Sequence, residues 1–419
     1  MIKQAIKFAV IYSLKNLKRH KVRTGLTLTI ISLSLALSII TGRYANSILS
    51  LWKHASIDTG SAHAQIHKQG YLNKQEGLDP SLIFNPDSNY IKDTISNDPL
   101  VEAASIRLKI EGLIAGDNGS TYFLGTAVEP EAELIVSPKL FYPGYDSGRF
   151  ISAGKENEAC IGRGLAKILS LSIGDEATLI AQTGQGSTNA VDIEVVCIID
   201  VALPTFSKRA IFMNLSLAQK LVRLPGHYTE MAIRLKESTN ANQWVRNKQL
   251  LFKNNPNLED ISIRGWWSID PLIAKVESIW LRISQVLCGL LILSSALTVM
   301  NVISMTVNER TLEIGTLRAL GSSPKLLLVI LGIDGIILGC ISTIIGLTIS
   351  NTVIYLMSYY GIPFESPFGS GIEITRPTIE LSWNLIGSII VVFGCGLCAI
   401  PAAMKALKVE PVIAFRNQI

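Results

Sequence analysis

Four long apolar stretches divide the chain, and they predict four transmembrane helices. Three of them contain no charged residue: 24–42, 283–308 and 381–404. The fourth, 326–364, contains a single one, Asp334. A bilayer core about 30 Å thick requires about 20 apolar residues in a helix, and each stretch reaches or nearly reaches that length. Four such stretches in one chain favour membrane spans over the buried helices of a large soluble core.

The segment between the first two apolar stretches has a different pattern, in which turn signals separate short apolar runs. The runs 105–110, 177–181 and 192–199 have the character of strands, whereas 164–170 has that of a helix. The mixture predicts a large α+β domain with two lobes. Charged residues precede the second apolar stretch, so its helix is expected to begin near Pro271, before it reaches the membrane.

Basic residues are concentrated beside particular ends of the predicted spans. Residues 1–23 contain seven Lys or Arg and no acid, in a chain whose net charge is +5. The 309–325 loop and the 405–419 tail carry three Lys or Arg each, whereas the loop between the last two spans carries only Arg376. The positive-inside rule therefore predicts that both termini and the 309–325 loop are cytoplasmic and that the α+β domain is outside. The localisation expected is therefore a membrane that has the cytoplasm on the side of both termini. Charge placed beside a membrane contacts anionic lipid, so no nucleic acid partner is expected.

The N-terminal region admits alternatives. The first apolar stretch is long for a signal peptide, and no clear small-x-small cleavage site follows it, so an uncleaved first span is expected. Before it, Ile2, Ile6, Val10 and Leu17 lie broadly on one face of a helix. That pattern predicts an amphipathic helix at the membrane surface. A plain cytoplasmic extension of the first span is the alternative.

Together these patterns predict nine consecutive segments. In chain order they are a cytoplasmic amphipathic helix (1–23), span one (24–46), the extracytoplasmic α+β domain (47–276), span two (277–308), a cytoplasmic loop (309–325), span three (326–358), an extracytoplasmic loop (359–380), span four (381–404) and a cytoplasmic tail (405–419). The outside location of residues 47–276 follows from the charges beside the spans and from the even number of spans.

A search for catalytic chemistry finds little. The chain has no G-x-x-x-x-G-K-[ST] phosphate-binding loop, no G-x-S-x-G and no H-E-x-x-H. His63 and His67 would share one face of a helix, but their flanking residues alternate as in a strand, where the two side chains are too far apart to hold one ion. We therefore expect no catalytic residue, no cofactor-binding residue and no metal site in this chain.

The cysteines fall into two groups. Cys395 and Cys398 form C-x-x-C within the fourth apolar stretch, where a redox or zinc motif would lack a loop and further ligands. Cys160 and Cys197 lie in the predicted outer domain, where a disulfide is permitted. The sequence does not decide whether those two cysteines pair.

Asp334 is the one charged residue within the four apolar stretches. A carboxylate at that depth costs several kcal/mol unless it is paired or hydrated. It either fixes the third span to another element through a polar contact, or it lies close enough to the headgroups to stay wet. The sequence leaves these two interpretations equally open.

The loop after the second apolar stretch has the strongest pattern. It reads NERTLEIGTLRALGSSPK over residues 308–325, with charge pairs, an apolar stripe and a terminating Gly-Ser-Ser-Pro. A short amphipathic cytoplasmic helix of this kind is typical of a docking element, and a solvated connector is the alternative. The residues expected to dock are Glu309, Arg310, Glu313, Leu317, Arg318 and Gly321.

Four segments resemble the FtsX-like permease family of ABC transporters, which includes MacB-type and LolC/LolE-type subunits. The most specific is ER-x-x-EIG-x-LRALG within 308–321. SLKNLKRHKVRTGLT near the start, GRGLAKILSLSIGD at 162–175 and IPAAMKALKVEPVIAFR near the end also resemble family segments, with Phe415 in place of the usual Leu. Asp334 falls where many members carry an acid. The resemblance therefore extends along the chain.

The resemblance implies a mechanism and partners. Two permeases, either two copies or a copy and a paralogue, would pair above two separate ABC ATPase subunits. Residues 308–321 would be the coupling helix, and the second span would relay ATP-driven motion to the outer domain. ATP would be used by the partner, so this chain would bind no cofactor and catalyse no reaction itself.

Several functions stay open within and beside this resemblance. The chain looks most like lipoprotein-releasing permeases, which extract a lipid-anchored substrate from the inner membrane. A MacB-like efflux permease that moves peptides or drugs with an adaptor is one alternative. An FtsX-like signalling scaffold that activates a cell-wall hydrolase is another, and a membrane-anchored enzyme is the least favoured.

Overall fold

The structure of the chain is a computed structural model. It describes residues 21–73, 82–84, 89–140, 148–199, 207–236, 240–255, 258, 260–309, 324–365 and 372–407. The chain divides into two compact units. The membrane unit comprises residues 1–49, 278–362 and 374–419, and the α+β unit comprises residues 50–277 and 363–373.

The described residues form long helices at both ends of the chain and a mixed region between them. The helices are α1 (Lys21–Ser56), α2 (Asn89–Ser96), α3 (Pro130–Val136), α4 (Arg163–Leu169), α5 (Leu215–Leu221), α6 (Ala241–Lys253), α7 (Trp266–Ile269), α8 (Pro271–Glu309), α9 (Pro324–Tyr360) and α10 (Leu381–Leu407). The strands are β1 (Ala64–Lys68), β2 (Val101–Gly116), β3 (Gly119–Val128), β4 (Glu158–Gly162), β5 (Glu176–Gln182), β6 (Thr188–Ile199), β7 (Ala210–Asn214), β8 (Glu230–Leu235), β9 (Ile261–Gly265), β10 (Ile362–Glu365) and β11 (Ile372–Thr375).

Within the described residues, four helical segments are long and apolar enough to cross a membrane. They are Lys21–Ser61, Ala274–Met305, Leu331–Tyr360 and Leu381–Cys398. The four spans expected from the apolar stretches are therefore confirmed, and the chain is a multi-pass membrane protein. The helix of the second span begins at Pro271, as the charged residues before it predict.

The membrane unit packs through small residues and one shared apolar cluster. Gly346 on α9 lies so close to α1 that a Cβ there would stand 2.9 Å from the Ser32 carbonyl oxygen. Close backbone approach of this kind is how helices associate within a bilayer. The Asn384 amide also donates to Asn351 Oδ1 at 3.1 Å, which joins α10 to α9. The buried cluster contains Ile31, Leu35, Ile39, Val299, Ile303, Val307, Leu331, Ile354, Val391 and Cys395.

The α+β unit is built on one nine-stranded sheet, in the order β3-β7-β4-β6-β5-β2-β8-β1-β9. Because β3 also pairs with β2, the first six strands of that order close into a ring. The ring encloses a core that includes Leu108, Ile114, Phe123, Ile161 and Leu179, each fully buried. Closure removes the free edges that the six strands would otherwise expose.

The strand β2 belongs to both parts of the sheet. Its second half pairs with β5 in the ring, whereas Val101–Arg107 pairs with β8. Strands β8, β1 and β9 then pack with α2 and α6 around a second core, which includes Ile66, Phe84, Tyr228 and Trp244. Among the described residues the continuous sheet thus has two large apolar cores, one inside the ring and one beside β8, β1 and β9. The division into two lobes expected from the sequence is not confirmed.

The local elements predicted between the first two spans are confirmed. The predicted strands 105–110, 177–181 and 192–199 lie within β2, β5 and β6, and the predicted helix 164–170 corresponds to α4. Cys160 and Cys197, whose pairing the sequence left open, form a disulfide. They are register partners on the adjacent parallel strands β4 and β6, so the bridge reinforces a pairing within the closed ring.

Candidate functional site

Of the six residues predicted to dock, only Glu309 lies within the described residues. Arg310, Glu313, Leu317, Arg318 and Gly321 lie outside the described residues, as do residues 1–20 of the predicted N-terminal helix and residues 408–419 of the tail. Their roles stay predictions.

Glu309 ends α8 and forms an ion pair with Arg23, with Nη1 and Oε2 3.0 Å apart. Arg23 also donates from Nη2 to the Val302 carbonyl at 3.4 Å. The beginning of α1 and the end of α8 are therefore held together directly beside the predicted coupling segment. Besides its predicted docking role, Glu309 therefore holds the start of the coupling segment to α1 within the membrane unit.

Asp334 lies one third of the way along α9 and is buried, with 7% of its surface exposed. Asp334 also takes part in a hydrogen bond, an ion pair or another electrostatic interaction within the protein. Burial favours the interpretation that the carboxylate fixes α9 to other parts of the unit, since a wet carboxylate near the headgroups would be exposed. Its role in activity stays a prediction.

An apolar cleft of about 100 Å³ lies between α1, α8 and α10 in the membrane unit. Its polar lining consists of Ser34, Ser38, Ser295 and Cys288, and the remainder is apolar, including Trp383. The Ser38 hydroxyl contacts the Cys288 thiol at 2.9 Å, and Ser295 donates to the Leu291 carbonyl at 2.9 Å. The Ser38 and Ser295 hydroxyls are thus engaged within the protein, and no charged residue from the described part of the chain lines the cleft. Its walls therefore suit hydrocarbon better than an ion.

The later part of α1 within the membrane unit is tied to the segment before α10. Arg43, 7% exposed, donates from Nε and Nη2 to the carbonyl and hydroxyl of Thr378, at 2.8 and 3.0 Å, and pairs with Glu380. The Ser47 and Thr375 hydroxyls are 2.6 Å apart. Both ends of α1 within the membrane unit are thus fixed by an arginine: Arg23 at one end and Arg43 at the other.

The α+β unit contains a buried charge cluster that the sequence did not predict. Arg107 on β2 lies between Glu133 on α3 and Glu230 on β8, and both carboxylates are fully buried. Arg107 binds Glu133 through Nε at 3.0 Å and Nη2 at 2.6 Å. Alternation along β2 predicts that Arg107 faces away from the Leu108 core, but α3 covers that face, so the guanidinium is buried in a position that looks exposed in sequence.

Glu230 is the most strongly perturbed acid of this cluster. Burial alone would raise its pKa, but the Lys109 ammonium at 3.0 Å, the nearby His67 and the Arg107 charge hold the pKa well below its usual range. Burial, together with the Glu230 charge, raises the pKa of Tyr71. Opposite charges balance across the cluster, as buried ionised groups require.

His63 and His67 take structural roles in the strand region. His67 belongs to β1, as the alternating flanks predict. It contacts Gln65 Oε1 at 3.0 Å through Nε2 and stacks on Tyr71. His63 Nδ1 accepts from the Leu235 amide at 3.2 Å, and burial together with the Arg234 charge lowers the pKa of His63 to about 4. In the described part of the chain no group of three or more His, Cys, Asp or Glu residues is arranged to hold a metal ion.

Comparison with known proteins adds two kinds of similarity. A stretch of 137 residues is 29% identical to the ABC transporter permease YtrF of Bacillus subtilis (strain 168). That alignment covers 30% of this chain and 30% of the relative's own length. The periplasmic region of MacB from Actinobacillus actinomycetemcomitans aligns at 10% identity and a TM-score of 0.37, covering 52% of this chain and 94% of that one. The extracellular domain of the ABC-type transporter YknZ from Gram-positive bacteria aligns at 11% identity and a TM-score of 0.34. The alignment covers 48% of this chain and 98% of that one.

The membrane unit matches a family directly. Residues 286–411 match the family described as FtsX-like permease C-terminal. That range begins within α8 and contains the predicted coupling segment, Asp334, α9 and α10. This match agrees with the resemblance of the sequence motifs, so residues 286–411 are similar to the C-terminal domain of FtsX-like permeases.

Proposed function

We propose that this protein is the permease subunit of an ABC-type machine that works by mechanotransmission. The observation that carries the proposal is the FtsX-like C-terminal domain at residues 286–411, in a chain with four spans and no phosphate-binding loop. A separate ABC ATPase supplies the energy, and a second copy or a paralogue completes a dimer. In this scheme residues 308–321 contact the ATPase, and the Arg23–Glu309 ion pair holds the start of that contact in place.

The α+β unit lies outside the cytoplasm in this proposal. Two independent observations support that orientation. The basic residues are concentrated in 1–23 and in the tail, and the Cys160–Cys197 disulfide is of a kind that persists in oxidising compartments. Single cysteines at Asn118 and Glu373 should react with a membrane-impermeant reagent on intact spheroplasts, and one at Ser322 should not. Labelling of Ser322 on sealed cells would overturn the orientation.

The substrate that we propose is a lipid-anchored protein, released from the inner membrane. The support is the cleft between α1, α8 and α10, whose apolar, uncharged walls suit an acyl chain. In this mechanism the substrate's lipid lies against the cleft while ATP-driven motion of the outer unit extracts the attached protein. Hydrocarbon is poorly soluble in water, so an apolar surface must cover it during extraction.

The test is release from proteoliposomes that contain the permease together with its ATPase. The probe is a triacylated lipoprotein, and its control is the same protein with the lipidated cysteine replaced, which carries no lipid. ATP-dependent release of the triacylated form alone supports the proposal. ATP-dependent export of a peptide or drug without lipoprotein release would favour the efflux alternative. Activation of a cell-wall hydrolase without any release would favour the scaffold.

Two adjacent serines on α8 give a matched pair of variants for the cleft. Ser294 and Ser295 both donate to the Leu291 carbonyl at 2.9 Å, but Ser295 lines the cleft whereas Ser294 is exposed. Ser295→Phe should fill the cleft and reduce lipoprotein release, and Ser294→Phe should not. Equal release by the two variants would contradict a role for the cleft.

A further inference from the structure

The first helix ends in the α+β unit at an unusual turn. α1 ends at Ser56, and the next residues, Ile57–Ser61, form a single π-helical turn. Within it Gly60 has φ 153° and ψ −30°, and Ala62 after it has φ 52°. Backbone in such regions is retained only where the surroundings hold it. The space around Gly60 is open, since nothing lies within 4 Å of the position that a Cβ would occupy. Glycine is therefore required here for its backbone conformation and not for space.

The guanidinium of Arg107 holds this turn. Besides its contacts with Glu133, Arg107 donates from Nη1 to the Gly60 carbonyl at 2.6 Å and to Glu230 at 3.3 Å, and from Nη2 to the Ser137 hydroxyl at 2.9 Å. All five donors of the planar group have an acceptor. A lysine could supply the charge but not this fork. The end of α1 is thus connected to β2, β8 and α3 through one buried side chain.

The neighbouring residues of the turn have their own contacts with the same elements. Asp58 binds Arg234 on β8 at 3.0 Å and Lys139 at 3.4 Å. The Lys139 amide donates to the Asp58 carbonyl at 3.0 Å, and Gln65 donates to the Gly60 carbonyl at 3.2 Å. The turn is therefore fixed at successive residues, which leaves it little freedom to move independently of the sheet.

The start of α8 joins the same turn. Ser56 donates from its hydroxyl to Asp270 Oδ2 at 3.0 Å, and Asp270 immediately precedes α8. Ser61 donates to the Ser56 carbonyl at 2.9 Å. Ser56 and Ser61 are both buried. The two long helices that enter the α+β unit on either side of its sequence, α1 and α8, thus meet at one hydrogen-bonded point.

We propose that residues 56–61 form the joint through which α1 and α8 move the sheet of the α+β unit, and that Arg107 is the positioning residue of that joint. The inference rests on the proposed function, because it assumes that ATP turnover moves these helices. The side chains of Ser56, Asp58 and Arg107, with the Gly60 carbonyl, connect the helix ends to β2, β8 and α3 through hydrogen bonds and ion pairs of 2.6–3.4 Å. Movement of either helix end therefore displaces the strands directly.

The decisive pair of variants is Gly60→Ala and Gly119→Ala. Both glycines have positive φ, 153° and 138°, and open space at the Cβ position, but Gly119 lies at the β2–β3 turn, away from the joint. The two changes therefore impose similar backbone strain at different places. The sample is the full permease with its ATPase in nanodiscs, and the readout is the ATP-dependent change in hydrogen exchange of β1, β2 and β8.

In the wild type, ATP turnover should change exchange in these strands. Gly60→Ala should reduce that change at least about fivefold, the lower end of typical coupling between sites, while ATP hydrolysis and the Cys160–Cys197 disulfide persist. Gly119→Ala should leave it intact. Arg107→Lys, which keeps the charge but loses the fork, should behave as Gly60→Ala does.

Three outcomes would overturn the joint. The first is a wild type whose exchange does not respond to ATP, and the second is a Gly60→Ala variant that keeps the full response, as Gly119→Ala should. The third is an equal loss of the response in both variants, which would indicate general destabilisation. The result would be different if only the proposed substrate were wrong. The wild type would then release no triacylated lipoprotein, yet its strands would still respond to ATP and Gly60→Ala would still reduce that response.

Discussion

Removing one carboxylate from the buried charge cluster should destabilise the α+β unit far more than removing an exposed one. Glu133 is fully buried and accepts two hydrogen bonds from Arg107, at 3.0 and 2.6 Å. Breaking a buried ion pair by removing one partner costs about 3–5 kcal/mol. Glu133→Gln keeps an amide oxygen that still accepts from Arg107, so we expect about 3 kcal/mol, the lower end of that range. For a unit of this size that corresponds to a decrease of about 6–12 °C in melting temperature.

The control is Glu131→Gln on the same helix, α3. Glu131 is exposed, so its replacement should change stability by less than about 0.5 kcal/mol. The assay is thermal unfolding of the full chain in detergent, followed by hydrogen exchange of β2, β8 and α3 so that the α+β unit is observed separately. A double variant, Glu133→Leu with Arg107→Met, should be more stable than Glu133→Gln, because it leaves no unpaired charge.

Equal melting of the Glu133→Gln and Glu131→Gln proteins would refute the reasoning. It would mean that Arg107 finds enough compensation elsewhere, through Glu230 alone, or that water reaches the cluster. A double variant less stable than Glu133→Gln would refute it differently, because the cluster would then contribute more than an apolar core of similar volume.

The remaining predictions concern coupling, the buried acid, the disulfide and pH. Glu313→Arg combined with Arg318→Glu should abolish substrate release while the permease still inserts, measured as release beside ATP hydrolysis; wild-type release would exclude this loop as the coupling element. Asp334→Leu should insert but lose activity, whereas Asp334→Glu should keep it, and an active leucine variant would favour the wet carboxylate. Replacing both bridged cysteines by serine should cost about 4 kcal/mol by the loop-closure estimate, for a sequence separation of 37; unchanged urea unfolding would argue against the bridge. The pKa of Glu230 is lowered on folding, so the ionised carboxylate stabilises the folded protein fully above the unfolded pKa of about 4.3, and this stabilisation is lost as the pH falls through the folded pKa. In acid unfolding, the Glu230→Gln protein should lack that loss of stability.

Several features of this protein were predictable from local pattern alone. The spans follow from the length of the apolar stretches, because a helix must satisfy its own backbone within lipid. Strands β5 and β6 and helix α4 follow from periodicity over a few residues. The similarity to FtsX-like permeases follows from the motif at 308–321, and the match over 286–411 agrees with it. Each of these signals lies within one short segment, so no knowledge of distant contacts is needed.

Other features depend on which distant segments meet, and only the tertiary structure decided them. The Cys160–Cys197 disulfide requires the parallel register of β4 and β6, and closure of the six-stranded ring requires β3 to return to β2. Arg107 is a polar position on an alternating strand, so its sequence predicts exposure, and only the position of α3 buries it. Its partners Gly60, Glu133 and Glu230 are 47, 26 and 123 residues away in the chain. Alternation predicts which face of a strand a residue occupies, but the element that covers that face is fixed by the packing of the whole unit.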